Sequence, residues 1–515
     1  MKRIISLLLL AAVLFTSLAF AGCGDNSGNG GGGGNDGGGD QIIDYGVGEH
    51  NYNGDSVKIS CFSIFEYEMF AEEDSSEFID DAIYKRNARV EQAFNMELEP
   101  VVSIATGSED LTTHYNDVLK WMNSGENVFD ILAMYAYQAG KLVLRGELFD
   151  LRSEHVPYVS TSINNGAAWW PYQINIDCTV NGAQFLAVSD LCLTAMEMVY
   201  AVAFNKDMEE DNNIARGFGY ESLYQMVDAG KWTLENFHTI VKDRWDNAPG
   251  STDGRDENDT YGLVVGGGTD SDAWAYALGF KYTKNDGEMT PELWDWHGGI
   301  VTAIEDLRDL YGANGTWKQW GDQYSKRTEF FANGHAIFNL TTLLELKTDY
   351  IHNMESDFGV LPYPKMNEAQ QQYKSGTMDH YTMLAISTTI GMGTPLERTC
   401  VALEALSVDS NKTVKDQYYN LIVTHKNTTD EESVRMIKLI MDGRTYDLST
   451  YHYEDLKLVS ADGVSNGNLS FGLFFRYLIS TTSADIAGFW TSNVDQLQIQ
   501  MDNLIADYNE MASWM

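Results

Sequence analysis

The chain is poor in what several large protein classes need. Only five of its 515 residues are cysteine: Cys23, Cys61, Cys178, Cys192 and Cys400. They form no CxxC pair and no Cys/His spacing for zinc, which argues against a disulfide framework or a zinc module. Cys178 and Cys192 flank a probable hairpin turn at Asn181-Gly182, but that turn would set Cys178 opposite Phe185, so the four later cysteines read as buried thiols. Positive charge is scarce as well, with 34 Lys and Arg against 75 Asp and Glu and a formal net charge of −41. No Lys/Arg-rich run gathers the few cations, so nucleic acid and anionic headgroups are excluded as partners and the acids read as a solubilising surface. After Phe20 no segment has the roughly 18 uninterrupted apolar residues that span a bilayer. H-E-x-x-H, G-x-S-x-G and G-x-x-x-x-G-K-[ST] are all absent, and the ten histidines are dispersed. No metal, cofactor or catalytic residue is therefore expected. Among 75 acids a carboxylate pair is uninformative, so a glycosidase cannot be argued from pairs. "STDGRDENDTYG" lacks the order of a calcium loop and reads as solvated.

Apolar residues, by contrast, make up 44% of the chain and aromatics 12%. That supports a large core, and the length exceeds one compact domain, so two lobes are expected. The start has Lys2-Arg3, an apolar run from Ile4 to Phe20, and then Ala21-Gly22-Cys23. A charged n-region before an apolar h-region marks a secretory signal. With the small residues before the cysteine, the segment resembles the bacterial lipoprotein signal. That resemblance implies removal of 1–22 and a palmitate-type lipid on Cys23. Gly24 to Asp40 is nearly all Gly, Asn, Asp and Ser, too polar to fold, and as a coil spans roughly 20–25 Å. Its Gly32-x-Gly34-x-x-Gly37 is a compositional accident, having no strand before it and no helix after it.

From Ser56 the pattern alternates. "SVKISCFSIF" predicts a strand. A helix follows with Ile79, Ala82, Ile83, Val90, Ala93 and Phe94 on one stripe. "MELEPVV" is a strand, "LTTHYNDVLKWMNSG" a helix closed by Gly125, and "VFDILAM" a buried strand. This βαβαβ order implies a parallel sheet, whose ligands sit off the strand carboxyl ends, where Glu66, Tyr67, Tyr135 and Tyr137 fall. Further on, "YQINIDCTVNGAQFLAVSD" reads as a hairpin, "AMEMVYAVAFNKDM" as a strand ending in a turn, and Thr233 as a helix N-cap. "TYGLVV", "GHAIFNL", "DFGVLPYP" and "YTMLAIS" are further strands, and the remainder is mostly helical.

The order of segments resembles a known family, the family 1 extracellular solute-binding lipoproteins of ABC importers, which mostly carry sugars. The likeness rests on "DDAIYKRNARVEQAFN", "VFDILAMYAYQAGKLVLRGELFDL", "AWWPYQINIDCTVNGAQFLAVSD", "VYAVAFNKDM", "GKWTLENF", "FFANGHAIF", "SDFGVLPYPKMNEAQQQY" and "ERTCVALEALS". It is nearest to versions from low-GC Gram-positive bacteria. The resemblance implies a two-lobed α/β fold of the periplasmic-binding-protein type (class II), with hinge strands between lobes and ligand in the cleft. Carried onto this chain, it expects 23–55 as linker, 56–192 with 335–390 as the first lobe, and 193–334 with 391–515 as the second. The first crossing is expected near Asp190 to Tyr200 and the return near His335.

The same resemblance implies a monomer on the outer face of the cell membrane, lipid-anchored, that hands a carbohydrate to the transmembrane subunits of a permease. A surface glycan hydrolase, or a lipoprotein serving a sensor, are the other readings. Sugars are held by aromatic platforms flanked by carboxylates. The candidate ligand residues are accordingly Glu66, Tyr67, Tyr135, Tyr137, Asp190, Trp274, Trp317, Trp320 and Tyr381, with Asp270, Asp272, Asp379 and His380 beside them. Trp169 and Trp170 are adjacent before Pro171, and in an extended segment their side chains would point opposite ways, so packing is the better reading.

Overall fold

Most β-branched and aromatic runs become strands where the sequence predicts them, although Tyr172–Asp177 and Thr194–Glu197 are helical. The computed structural model describes residues 43–72, 78–105, 112–249, 254–266, 268–285, 289–294, 298–319, 324–422, 424–425, 428–458, 469–481 and 485–513. Ten strands build its two main sheets. In chain order they are β1 (Asp55–Phe62), β2 (Met96–Ser103), β3 (Ile131–Tyr135), β4 (Tyr200–Asn205), β5 (Trp245–Asp246) and β6 (Thr260–Val265). They continue as β7 (Thr316–Lys318), β8 (Ala336–Thr342), β9 (Phe358–Leu361) and β10 (Thr382–Ile386).

The first sheet has the order β10-β3-β1-β2. β1 is parallel to β2 and β3, as the βαβαβ pattern requires, and β10 is antiparallel to β3. Pro100 is tolerated inside β2 because β2 is the sheet edge, where a missing N–H breaks no second ladder. Between the strands lie α1 (Glu66–Met69), α2 (Phe78–Phe94) and α3 (Thr113–Ser124), and after β3 comes α4 (Ala136–Val143). The stripe of α2 buries Ile79, Ala82, Ile83, Val90 and Phe94, with Ala93 exposed. Gly125 closes α3 at φ 68°, a left-handed cap that favours glycine.

The second sheet runs β9-β4-β8-β6-β5, with β7 beside β6. Here the expected boundaries change. β8 lies between β4 and β6, pairing Phe338 with both Phe204 and Leu263, and β9 pairs with β4. Residues 336–361 therefore belong to the second sheet, and the chain rejoins the first sheet only at β10. Likewise α5 (Thr394–Asp409), expected with the second lobe, packs on α2 and β1, while α6 (Glu431–Asp442) packs on β9.

Two connections between the sheets run side by side. Ala187 bridges Leu384 and Val199 bridges Thr377, both antiparallel. A third connection is helical: α5 continues through a π-helical turn, Ser410–Val414, into Lys415–Ile422. The hairpin turn is present, with Asn181 at φ 52° and Gly182 at φ 83° closed by the Val180–Ala183 bridge. Its first arm differs from the expected strand: Tyr172–Asp177 is a short helix opening after Pro171, whose fixed φ suits a helix start. Thr233 caps its helix as predicted, accepting from the Asn236 N–H. The core is continuous between the sheets, as Ile83 of α2, Leu193 of the first connection, Val360 of β9 and Ile437 of α6 share one cluster.

Candidate functional site

A cleft opens where the two sheets meet. Tyr200 enters it from the start of β4, Asp272 and Tyr276 from the segment after β6, and Asp379 from just before β10. β4 is antiparallel to β8 and β8 parallel to β6, so the start of β4 and the end of β6 lie at the same edge. By the same logic the start of β10 lies beside the end of β3. The cleft thus sits at strand carboxyl ends of both sheets, where helix N-termini and loops converge. Tyr453 completes the wall, its ring centroid 4.6 Å from that of Tyr137. Behind them the Tyr135 ring lies 5.3 Å from His380 and 5.7 Å from Phe65.

The helix Ala273–Ala277 explains which aromatic faces the cleft. Asp272 and Tyr276 are four residues apart and share a face. Trp274 lies between them on the opposite side, fully buried, with Nε1 donating to Tyr311 Oη at 3.2 Å and its ring 5.0 Å from Tyr363. It packs the core and does not line the cleft.

Asp272, which lines the cleft, is paired with Arg476. Its Nε donates to Asp272 Oδ1 at 3.0 Å and its terminal nitrogen to Oδ2, a fork-on-fork pair. Burial pushes the Asp272 carboxyl up to about 6 against the pull of Arg476, with Asp379 pushing the same way as burial. No N–H or O–H donor among the described residues reaches the Asp379 carboxylate. His380 Nε2 lies 3.6 Å away, and Arg476 is close enough for its charge to act on Asp379. The cavity these side chains enclose is ≈ 20 Å³, room for about one water.

The other candidates lie elsewhere. Tyr67 donates to Glu197, which also pairs with Lys347, so it ties α1 to the first connection. Asp190 is in the first connection as expected, but its carboxylate is occupied by Lys415 at 2.9 Å and Asn411 at 2.6 Å, on the π turn and the helix after it. Tyr381 is fully buried beside Tyr446, ring centroids 4.9 Å apart. Trp317 stacks on Tyr261 at 5.1 Å, half-buried on the second sheet. Asp270 is buried beside Arg327, and Glu66 is half-buried on α1. Trp320 and Cys23 lie outside the described residues, as does the glycine stretch. Trp169 and Trp170 sit in a turn, and both indole N–H groups converge on the Glu404 carboxylate, at 2.8 and 2.9 Å. The extended geometry that would have parted them does not hold.

Cys61, Cys178, Cys192 and Cys400 are free and buried. Among the described residues no group of His, Cys, Asp and Glu has metal-binding geometry, and no helix is long and apolar enough to cross a membrane. Sequence reasoning missed Tyr200, Tyr276, Tyr453 and Arg476. Tyr276 had a signal, its i,i+4 spacing from Asp272. Tyr453 and Arg476 come from the C-terminal helical region and had none.

No protein-family model matches the chain, and no curated protein does. Solved structures do. The sugar-binding protein MalE from the phytopathogen Xanthomonas citri aligns over 89% of this chain and 100% of its own, at 11% identity and TM-score 0.51. A cyclo/maltodextrin-binding protein complexed with maltotetraose aligns over 89% and 97%, at 11% identity and TM-score 0.50. The chain shares their fold.

Proposed function

We propose that the protein is the substrate-binding component of an ABC importer and captures a carbohydrate in the cleft between its two lobes. The observation that carries this is the cleft itself, a junction of strand carboxyl ends lined by tyrosines and carboxylates and flanked by paired connections that can act as a hinge. Tyrosine faces suit the C–H faces of a sugar, and Asp272, Asp379 and Arg476 suit its hydroxyls. A cavity sized for one water cannot hold a sugar ring, so binding requires the lobes to part and reclose around the ligand. Tyr137 and Tyr135 stand on the first-lobe side of that movement, Tyr200 and Tyr276 on the second.

In this reading the N-terminal segment is a signal, Cys23 carries lipid, and 24–40 is a leash. The receptor is then held outside the membrane within reach of its permease, which raises its local concentration. A thermal-shift screen against a glycan library tests the binding step. A cognate sugar raises the unfolding temperature by mass action, small-angle scattering shows compaction, and the sugar is recovered unchanged. Recovery of cleaved glycan, or binding with no compaction, refutes the reading.

A further inference from the structure

The cleft has an electrostatic character beyond what sugar binding alone requires. Arg476 is paired with the cleft-lining Asp272, with Nε and one terminal nitrogen donating to its two oxygens. Glu454, next to Tyr453, is neutralised by Lys141 at 3.4 Å and by Lys457. Asp379 is left as a carboxylate on the cavity wall, its side chain 21% exposed, with no hydrogen-bond donor among the described residues. Around it stand three tyrosine rings, Tyr200, Tyr276 and Tyr453. Two carboxylates, Asp272 and Asp379, share the one Arg476 guanidinium, which is forked onto Asp272. This surplus of negative charge beside tyrosine rings is the chemistry that receives an ammonium group, through a charge-assisted hydrogen bond and cation–π attraction together. A ligand carboxylate would face the opposite, since Asp379 and Asp272 repel it and the Arg476 charge is already offset by Asp272.

We propose that the cleft selects a saccharide bearing a protonated amine, with Asp379 as the residue that determines this preference. The inference rests on the carbohydrate-binding reading and refines it. Uncharged saccharides bind more weakly, and uronate saccharides are rejected.

The test is calorimetric titration of the full chain at about pH 6, where the sugar amine of the probe carries its proton and the uronate its charge. The probes are a β-1,4-glucosamine trimer, its fully N-acetylated form, maltotriose, a galacturonate trimer, spermidine and choline. The glucosamine trimer is expected to bind at least about tenfold more tightly than the acetylated trimer or maltotriose, the size of one charge-assisted hydrogen bond. Asp379→Asn is expected to remove that margin, bringing the affinity ratio of amine to uncharged trimer to within about twofold of one, and Asp379→Glu to retain it. Unliganded thermal unfolding of each variant confirms that it folds. If uncharged trimers bind as tightly as the amine, or the uronate binds best, this inference falls and the carbohydrate reading stands. If spermidine or choline binds more tightly than every saccharide, the choice of a sugar amine is overturned together with the carbohydrate reading. Failure of every probe to bind refutes the inference.

Discussion

Glu68 should make the stability of this protein depend on pH in a direction opposite to most carboxylates. It is 1% exposed and lies where the connections meet. Oε2 accepts from the Thr194 N–H and hydroxyl, each at 2.8 Å, and Oε1 accepts from the Thr382 hydroxyl. Thr194 belongs to the first connection and Thr382 begins β10, so one carboxylate fastens α1 to both. No cation lies within ion-pair distance of it among the described residues. Burial raises its pKa from 4.5 to about 7 despite those three donors, and the charge of Glu197 adds to the rise. A carboxyl whose folded pKa lies above its unfolded value holds its proton more tightly in the folded chain. Its contribution is full below about pH 4.5 and is lost as pH rises through about 7. A rise of that size corresponds to about 3 kcal/mol. Glu68→Gln resembles the protonated side chain and cannot ionise. The variant should match the wild type near pH 4.5 and exceed its stability by up to about 3 kcal/mol at pH 8. Urea unfolding of both proteins across that range gives the difference directly, and subtraction cancels the other carboxylates. A flat difference, or a variant less stable at pH 8, would refute the reasoning, because it would mean that the three donors outweigh burial.

Three further substitutions probe the same architecture. Glu404→Ala removes the acceptor shared by Ser162, Trp169 and Trp170 and strands a buried indole N–H. It should cost about 3 kcal/mol in denaturant unfolding, and a loss under about 1 would show that water replaces the carboxylate. Asp190→Ala leaves Lys415 and Asn411 without their shared acceptor. A cost of about 2–4 kcal/mol is expected, with a double-mutant cycle against Lys415→Met giving coupling of at least about 1 kcal/mol, and additivity would dismiss the pair. Gly376→Ala would place a methyl 2.2 Å from the Tyr276 ring, which must swing into the cleft. Ligand affinity should fall along with a destabilisation of about 1–3 kcal/mol, and unchanged affinity would remove Tyr276 from the site.

The fold was largely legible because its signals are local. The parallel order of β1, β2 and β3, the Gly125 cap and the Asn181-Gly182 turn each follow from a few neighbouring residues. Lobe membership is not local. "GHAIFNL" and "DFGVLPYP" read as strands, but nothing in them says which sheet they join, and β8 proved to be inserted between β4 and β6. The cleft followed the same division. The sheet rule located Tyr135 and Tyr137 at the end of β3, but neither lines the cavity, which they reach only through His380 and Tyr453. Asp190 could be assigned to a connection, but its use there by Lys415 depended on a helix more than two hundred residues later. Trp274 drew notice as the larger aromatic, whereas the helical repeat decided that Tyr276 would face inward.

These placements bear on how the lobes would move. Two connections hydrogen-bonded side by side flex as a narrow ribbon, which permits opening but gives little resistance to twisting. The third, helical connection supplies the resistance. A continuous α-helix would be stiff, but this one is interrupted at Ser410–Val414, where π geometry loosens the backbone ladder. Val414 of that turn packs into the core, and the turn's other contacts are polar. Asp190 holds Asn411 and Lys415. Arg86 reaches the Ser410 hydroxyl at 3.2 Å. Arg89 pairs with Asp409 immediately before the turn, and Tyr45 donates to the same carboxylate. Arg86 also donates to the carbonyls of Glu68 and Met69, so α1 is joined to the π turn as well as to the two extended connections. Movement at any one connection therefore strains the hydrogen bonds of the other two through this short helix. If these connections act as the proposed hinge, this coupling would oppose partial opening and favour two discrete arrangements of the lobes.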